Sequence, residues 1–457
     1  MMSIINVIGA VEMGFGVSMT FSLYEPIKNK KIDKIKNILS AFKFIYFRVG
    51  IVVMSLGLLV MPFLRYFQSE NIDAEVNIYF VYALYLLSSV VNYFVSPSKI
   101  ALINAYQRRD VIHKVSTLTK FLSAVFQIIT LILTNNFYYF LIAIIFFPFL
   151  RNLIISFLCS KMYPDLVANG VVSKRYLRTI FAKTKAVAIH KLGDITIISI
   201  DNILIVYFLG YSTASIYSNY IYIVTAIVTT IDVISLSLLS SVGSVLLEND
   251  KEKNYRLFQQ LSLLNTMFIG FIALNLFISH QFFIELWLGK ENTFNSSLTV
   301  LLFSVLMFSS KIRIILILYR DAVGMWEKDF YKPIVGVTAN LLLSTILISK
   351  FGVNGVLISS IIVFLTIYLP WEVNLIHKII FSKSSLNYIK NNLLIGVLLF
   401  AVGFLNYLFD LTISLENTLL DLVIKLIFSI VMFMCVFYKI FIKYKLDRII
   451  LKVIRAK

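Results

Sequence analysis

Charged residues are scarce in this chain, and so are cysteine, histidine and proline. Of its 457 residues only 14% are charged, 59% are hydrophobic, and the mean hydropathy is +0.87. A soluble protein of this size needs more charge to cover its surface, so hydrocarbon must be part of the solvent. The two cysteines, Cys159 and Cys435, offer neither a disulfide framework nor metal-ligand spacing. The histidines are scattered and no glycine-rich phosphate loop leads into a helix, so we expect neither an enzyme nor ATP hydrolysis within the chain.

Long apolar runs fill the chain instead. A membrane-spanning helix needs about 20 mostly apolar residues, and the sequence contains about 13 such stretches. The predicted spans are 3–23, 44–64, 78–97, 118–135, 138–158, 187–209, 214–238, 262–284, 297–319, 333–350, 353–374, 391–410 and 418–442. The expected fold class is therefore an all-α polytopic membrane protein.

The loops between these spans alternate in charge. The basic set consists of the segments 28–36, 108–114, 174–183, 251–256, 320–332, 378–390 and 439–457. The alternating set holds only Arg65, Lys290 and Lys350 as basic residues. The positive-inside rule places the basic loops in the cytoplasm, and it explains the net charge of +18 without a nucleic-acid partner.

The predicted topology and an internal repeat both point to a missing helix. An odd number of spans with a cytoplasmic C-terminus puts Met1 outside, although no signal peptide precedes the first apolar run. A span, a charged amphipathic stretch and a new span follow one another around 25–43 and again around 248–260, as in transporters built from two repeated lobes. The first lobe lacks a counterpart of 187–209, so we expect a preceding helix that this sequence does not contain. The predicted divisions are an N-terminal lobe at 1–160, a second lobe at 184–374, and additional helices with a basic tail at 375–457.

Basic residues inside the predicted spans are candidate functional residues, because a charge in hydrocarbon is costly. Arg151 and Arg313 lie about 20 Å and about 24 Å from the outer ends of their helices at 1.5 Å per residue, whereas Arg48 and Lys191 lie near cytoplasmic ends. Lys311 and Arg313 are about 200° apart around a helix, so both cannot face one cavity. We expect Arg313, rather than Lys311, to face a substrate cavity between the helices, because a guanidinium can bind phosphate through two parallel hydrogen bonds. Snorkelling or ion pairing is the alternative for all of them, and for Lys311 in particular.

Acidic residues and a histidine form a second candidate group. His190, Asp194 and Asp201 recur at spacings of four and seven, so they share one helix face. Such a stripe either carries a proton or sodium ion, or neutralises a basic residue of the facing lobe. The candidate ion-coupling residues are Glu12, His190, Asp194 and Asp201.

Several motifs occur in the order found in a known family. They are Leu23-Tyr24-Glu25-Pro26-Ile27, Gly193-Asp194, Phe208-Leu209-Gly210, Tyr217-Ser218-Asn219-Tyr220, Trp287-Leu288-Gly289 and Tyr319-Arg320-Asp321-Ala322-Val323-Gly324-Met325-Trp326. The last continues through Asp329, Lys332-Pro333 and Asn340 to Gly352-Val353-Asn354-Gly355. From Met13 to about His377 the chain resembles Wzx-type polysaccharide or O-antigen flippases. These belong to the multidrug/oligosaccharidyl-lipid/polysaccharide exporter superfamily.

The resemblance implies two pseudo-symmetric helical bundles around a central cavity, with two extra C-terminal helices here. It implies that undecaprenyl-diphosphate-linked oligosaccharide is flipped to the outer leaflet of the bacterial cytoplasmic (inner) membrane, for lipopolysaccharide, O-antigen or capsule synthesis. Arg48, Arg151, Lys191, Lys311 and Arg313 would then bind the diphosphate during alternating access. Implied partners are a polysaccharide polymerase and a chain-length regulator, and no cofactor is implied beyond a coupling proton or sodium ion. Family members normally carry another helix before Glu12, in agreement with the missing span.

Two other functions remain as alternatives. A cation-coupled multidrug exporter of the same fold is expected to show an acidic lining rather than a basic one. A membrane polysaccharide polymerase would need a sizeable outer loop with catalytic residues. The longest predicted outer loop is the short segment 65–77, which disfavours this alternative.

Overall fold

The computed structural model consists of helices joined by short connections. It describes residues 13–67, 77–95, 97–134, 137–170, 174–238, 242, 246, 250–412 and 418–444. Throughout these ranges the regular elements are helices and no strand occurs, so the predicted all-α class is confirmed.

The first half of the chain forms seven α-helices. They are α1 (Met13–Lys28), α2 (Ile32–Val60), α3 (Ile78–Phe94), α4 (Pro97–Ala105), α5 (Arg109–Thr134), α6 (Phe137–Met162) and α7 (Lys174–Ser237). A 3₁₀ segment, Met61–Phe67, continues α2. Helix α4 lies beyond the predicted span 78–97, in a region expected to be a cytoplasmic loop.

The second half adds eight α-helices. They are α8 (Lys251–Leu288), α9 (Ser297–Lys311), α10 (Ile314–Val323), α11 (Tyr331–Phe351), α12 (Val353–Val363), α13 (Leu369–Ile376), α14 (Leu386–Thr412) and α15 (Thr418–Lys443). Two π-helical turns, Phe364–Tyr368 and His377–Phe381, precede and follow α13, and a short 3₁₀ turn, Lys290–Asn292, follows α8.

Within the described ranges, ten helical stretches are long and apolar enough to cross a membrane, and the bent pair α3–α4 makes eleven. This is fewer than the 13 stretches expected, for two reasons. The predicted span 3–23 is described only from Met13, so the described part is too short to be counted. The predicted spans 187–209 and 214–238 both fall in α7, whose apolar part, 195–235, counts once.

Helix α7 nevertheless contains room for both spans. Its 41-residue apolar part would be about 60 Å long as a straight helix, about twice the thickness of the hydrocarbon core. Gly210 interrupts it with a φ of +85°, a conformation that glycine adopts without steric cost. The break lies between the two predicted spans and divides α7 between them.

The chain folds as two compact units, unit 1 (Met1–Ile203) and unit 2 (Leu204–Lys457). In unit 1, α2 packs closely on α3. A Cβ at Gly57 of α2 would lie only 2.3 Å from the Leu86 side chain, so only glycine allows this approach. In unit 2, the predicted C-terminal pair is present as α14 and α15, and α14 approaches α8 where a Cβ at Gly270 would lie 2.3 Å from Leu399. The lobe limits predicted from the sequence stay a prediction.

Candidate functional site

Unit 2 contains a break inside one of its apolar stretches. Helix α9 ends at Lys311 and α10 begins at Ile314, so Arg313 lies at the break. Asn265 of α8 is 7% exposed, and its Nδ2 donates to the carbonyls of Lys311 and Ile312, at 3.3 Å each. These bonds satisfy carbonyl groups at a helix end that water cannot reach. The irregular backbone at Arg313 is therefore supported by a specific side chain.

The segment that packs against α10 is irregular as well. Helix α13 follows the π-helical turn Phe364–Tyr368 and precedes another, His377–Phe381. Such turns are rare and frequently occur at functional sites. Glu372 lies on α13 between the two turns and is 1% exposed. A break and two π turns thus surround one buried carboxylate.

Arg313 and Glu372 meet at this position. Arg313 is 4% exposed, and its Nε lies 3.4 Å from Oε2 of Glu372. The guanidinium lies 4.6 Å from the centre of the Tyr368 ring and 5.2 Å from that of Phe364. Lys332 of α11 donates to the other oxygen of Glu372, at 2.7 Å. One carboxylate is therefore shared by two buried cations.

The ion pairs continue from Lys332 toward the cytoplasmic end of α10. Lys332 also binds Asp329, at 2.8 Å, and Arg320 lies 3.3 Å from Asp329 and 2.8 Å from Asp321. The indole Nε1 of Trp326 donates to Asp321, at 2.9 Å. We call this group the buried charge network: Arg313, Arg320, Asp321, Asp329, Lys332 and Glu372. Its three cations and three anions balance, as burial of charge requires.

The network explains why the sequence motif from Tyr319 to Lys332 is rich in charge. Arg320 and Asp321 lie in the last turn of α10, and Gly324 turns the chain after it with a φ of +73°. The turn returns Asp329 and Lys332 beside them. Glu372 was not among the predicted site residues, although a carboxylate inside the predicted span 353–374 was a visible signal.

The other basic residues predicted for the site are placed separately. Lys311, adjacent in sequence to the break, forms an ion pair with Asp232 at 2.6 Å. In unit 1, Arg48 is exposed and its guanidinium lies 4.2 Å from the Phe44 ring. Arg151 is half-buried on α6. The predicted role of these residues in phosphate binding stays a prediction.

The predicted ion-coupling residues are only partly described. His190 and Asp201 lie on α7 and are 5% and 2% exposed. Glu12 lies outside the described residues, as do the side chains of Lys191 and Asp194. Among the side chains that the structure describes, no cluster of three or more His, Cys, Asp or Glu could hold a metal ion.

An apolar cavity of about 450 Å³ lies between α8, α9 and α14 of unit 2. Gly270, Leu301, Gly396, Phe400 and Gly403 are among its lining residues. The wall is open at Gly396, where a Cβ would have no atom within 4 Å. Such a cavity suits a hydrocarbon chain rather than a polar group.

The apolar helices and the two units define a multi-pass membrane protein. Its fold is similar to that of several solved membrane transporters. The structure of the lipid II flippase MurJ in an inward closed conformation matches with a TM-score of 0.66 and 14% identity, over 96% of this chain and 93% of that chain. An inward-facing multidrug resistance MATE family transporter of the MOP superfamily matches with a TM-score of 0.60 and 14% identity, over 81% of this chain and 87% of that chain.

A third solved structure gives the same result. The Vibrio cholerae MATE transporter VcmN in its bent form has a TM-score of 0.57 and 13% identity, over 81% of this chain and 86% of that chain. At these identities the likeness shows the fold alone. No protein-family model matches the chain, and no curated protein matches its sequence.

Proposed function

We propose that this protein is a flippase that moves an undecaprenyl-diphosphate-linked oligosaccharide from the cytoplasmic to the outer leaflet by alternating access. The observation that carries the proposal is the extent of the likeness to the lipid II flippase, which covers 96% of this chain. The part of this chain that lies outside the match is shorter than helix α14, which has 27 residues. The C-terminal helices must therefore take part in the match, and the likeness extends beyond the two repeated lobes.

The apolar cavity between α8, α9 and α14 supports a substrate with a long hydrocarbon tail. A lipid-linked sugar must keep its tail in hydrocarbon while its head group crosses the membrane. The cavity is bounded by α14, one of the two C-terminal helices, and it is lined by leucine, phenylalanine and glycine. A tail held there would stay beside unit 2 during the movement of the head group.

Arg313 supports an anionic head group. Its Nη1 and Nε make no hydrogen bond to any described residue, and its only ion-pair partner there is Glu372, at 3.4 Å. A diphosphate oxygen would compete with Glu372 for the guanidinium, and it would make the shorter, bidentate contacts that arginine forms with phosphate. In this proposal Glu372 holds Arg313 in the absence of substrate, and Arg151, Arg48, Lys191 and Lys311 are further candidates.

The proposed setting is surface polysaccharide synthesis at the bacterial cytoplasmic membrane. A polysaccharide polymerase and a chain-length regulator would then act on the flipped product. A proton or sodium ion is the proposed coupling ion.

A multidrug exporter coupled to a cation is the second candidate. The likeness to two MATE transporters, with TM-scores of 0.60 and 0.57, favours it. The three carboxylates of the buried charge network are also groups that a cationic substrate would bind. The fold is common to both candidates, so the substrate must be determined by experiment.

The test is a transport assay with two substrates. Proteoliposomes that contain the purified protein receive a fluorescent undecaprenyl-diphosphate oligosaccharide, and a membrane-impermeant quencher reports its movement between leaflets. We expect movement above empty liposomes, and a loss of at least about tenfold in the double variant Arg151→Ala, Arg313→Ala, since each charged hydrogen bond contributes about 1.5–3 kcal/mol. Lys383→Met, which alters an exposed ion pair, is the matched control. Unchanged movement in the double variant would refute the phosphate site.

The second arm measures efflux of a cationic dye in a strain that lacks its own exporters. Restored efflux together with no lipid movement would replace the proposal with the drug exporter.

A further inference from the structure

Unit 1 has a helix break of its own, a bend of 54° between α3 and α4, and the charges beside it differ from those in unit 2. Helix α3 ends at Phe94 and α4 begins at Pro97, as α9 ends and α10 begins around Arg313. Lys99 lies in the first turn of α4, close to the position that Arg313 has before α10. Ser156 of α6 contacts Lys99, as Glu372 of α13 contacts Arg313. The interval along the chain from 99 to 156 is nearly the same as that from 313 to 372.

Lys99 differs from Arg313 in its partners. Its Nζ donates to Oγ of Ser160 at 2.7 Å, to Oγ of Ser156 at 2.8 Å and to the carbonyl of Ser156 at 3.2 Å. These partners are all neutral, and in the described part of the chain no carboxylate lies within ion-pair distance of Lys99. Where unit 2 has a glutamate to neutralise its cation, unit 1 has two serines.

A cavity of about 340 Å³ opens beside Lys99 in unit 1. Lys43 of α2, Ser98 and Ser160 contribute polar groups to its wall, and no described residue of the wall carries a carboxylate. Tyr163 also lines it, and burial raises the pKa of this phenol above its ordinary value, so the ring stays neutral at physiological pH. The wall therefore has two ammonium groups and no described anion.

The remaining wall is apolar, and the cavity lies near the cytoplasmic ends of its helices. Phe47, Phe94 and Leu102 form part of this wall. The basic segment 108–114, which the positive-inside rule assigns to the cytoplasm, follows shortly after α4 and includes the first residues of α5. Basic pockets between membrane helices at this level bind lipid head groups. The first turn of α4 adds the partial positive charge of a helix N-terminus.

We propose that this cavity of unit 1 binds the phosphate group of a lipid through Lys99 and Lys43, with the hydroxyl groups of Ser98 and Ser156 as additional donors. The ligand is either the diphosphate of a polyprenyl lipid or the phosphate of an anionic phospholipid. Both present the same chemistry to the cavity. Binding does not require that the protein transports the lipid, so the inference is independent of the function proposed above.

The two units themselves suggest the test. The substitution Ser156→Glu gives unit 1 the carboxylate that unit 2 has at Glu372, and Ser156→Gln adds a side chain of the same size without charge. The purified full-length protein in neutral detergent is titrated with undecaprenyl diphosphate and, separately, with phosphatidylglycerol, and binding is followed by native mass spectrometry. We expect Ser156→Glu to weaken binding at least about tenfold, the effect of about 1.4 kcal/mol, and Ser156→Gln to change it less than about threefold.

Substitutions of the lysines complete the design. Lys99→Met should weaken binding as Ser156→Glu does, and Lys99→Arg should retain it. Lys43→Met, at an exposed position, gives a second measurement if Lys99→Met fails to fold.

Each outcome has a definite meaning. Loss of undecaprenyl diphosphate binding alone supports the site and identifies the polyprenyl lipid as its ligand. Loss of phosphatidylglycerol binding alone supports the site and identifies the phospholipid. Unchanged affinity of folded Lys99→Met and Lys43→Met for both lipids would overturn the proposal, whatever the transport assay shows.

Discussion

Replacement of Lys332 by methionine tests the buried charge network directly. Lys332 is 1% exposed and donates to Asp329 at 2.8 Å and to Glu372 at 2.7 Å. The substitution removes one cation and leaves three carboxylates with two arginines. Asp329 and Glu372 are 0% and 1% exposed, so water does not compensate for the lost partner.

The expected cost follows from this burial. Removal of one partner from a buried ion pair costs about 3–5 kcal/mol, because the other charge stays buried without compensation. We therefore expect Lys332→Met to lower the free energy of unfolding by this amount. The double variant Lys332→Met, Asp329→Asn removes one charge of each sign. It leaves Arg313 with Glu372, and Arg320 with Asp321, so it should cost no more than about 1–2 kcal/mol.

The assay is reversible unfolding in mixed micelles, with increasing SDS fraction and circular dichroism as the signal. A double-mutant cycle should give a coupling energy of at least about 2 kcal/mol between Lys332 and Asp329. Lys383→Met is the control. The side chains of Lys383 and Glu252 are 32% and 63% exposed, so their ion pair contributes at most about 1 kcal/mol. A loss below about 1 kcal/mol in Lys332→Met, or a double variant less stable than the single one, would contradict the reasoning.

Two further substitutions test the backbone around the network. Gly336→Ala should lower the melting temperature in detergent, because the new Cβ would lie 2.0 Å from Cε2 of Tyr368 and overpacking of this kind costs about 1–3 kcal/mol; an unchanged melting temperature would show that the ring can move aside. Asn265→Leu removes the two hydrogen bonds to the carbonyls of Lys311 and Ile312, and we expect a loss of about 1–3 kcal/mol in the same unfolding assay. If this variant is as stable as the wild type, other groups satisfy the break.

The helices could be predicted from the sequence, but the faces that they bury could not. Apolar runs locate most of the spans because hydrocarbon accepts only helices of this length. Within the runs, however, Phe303 is 0% exposed while Phe121 and Phe400 are 64% and 78% exposed. Lipid tails are as apolar as a protein core, so the side chains facing lipid and those facing the core are of the same types.

The charged residues show the same limit at the candidate site. The depth of Arg313 in its span was visible in the sequence, and so was its separation from Lys311 around the helix. Its pairing with Glu372, and that of Lys311 with Asp232, join residues far apart in the chain, so they depend on how the helices pack. Lys99 could not be selected, because it lies just beyond the predicted span 78–97 and α4 was not expected there.

The balanced charge of the buried network has an electrical consequence. When one unpaired charge crosses a membrane with a potential of 100 mV, its electrical energy changes by about 2.3 kcal/mol. The network holds three cations and three anions, so a movement that carries it as a whole through this field gains or loses almost no electrical energy. Lys99 has no such compensation among its described neighbours, and displacement of that side chain across the field would couple to voltage. An anion bound beside it would cancel this coupling, so the voltage sensitivity of unit 1 would depend on whether its cavity is occupied.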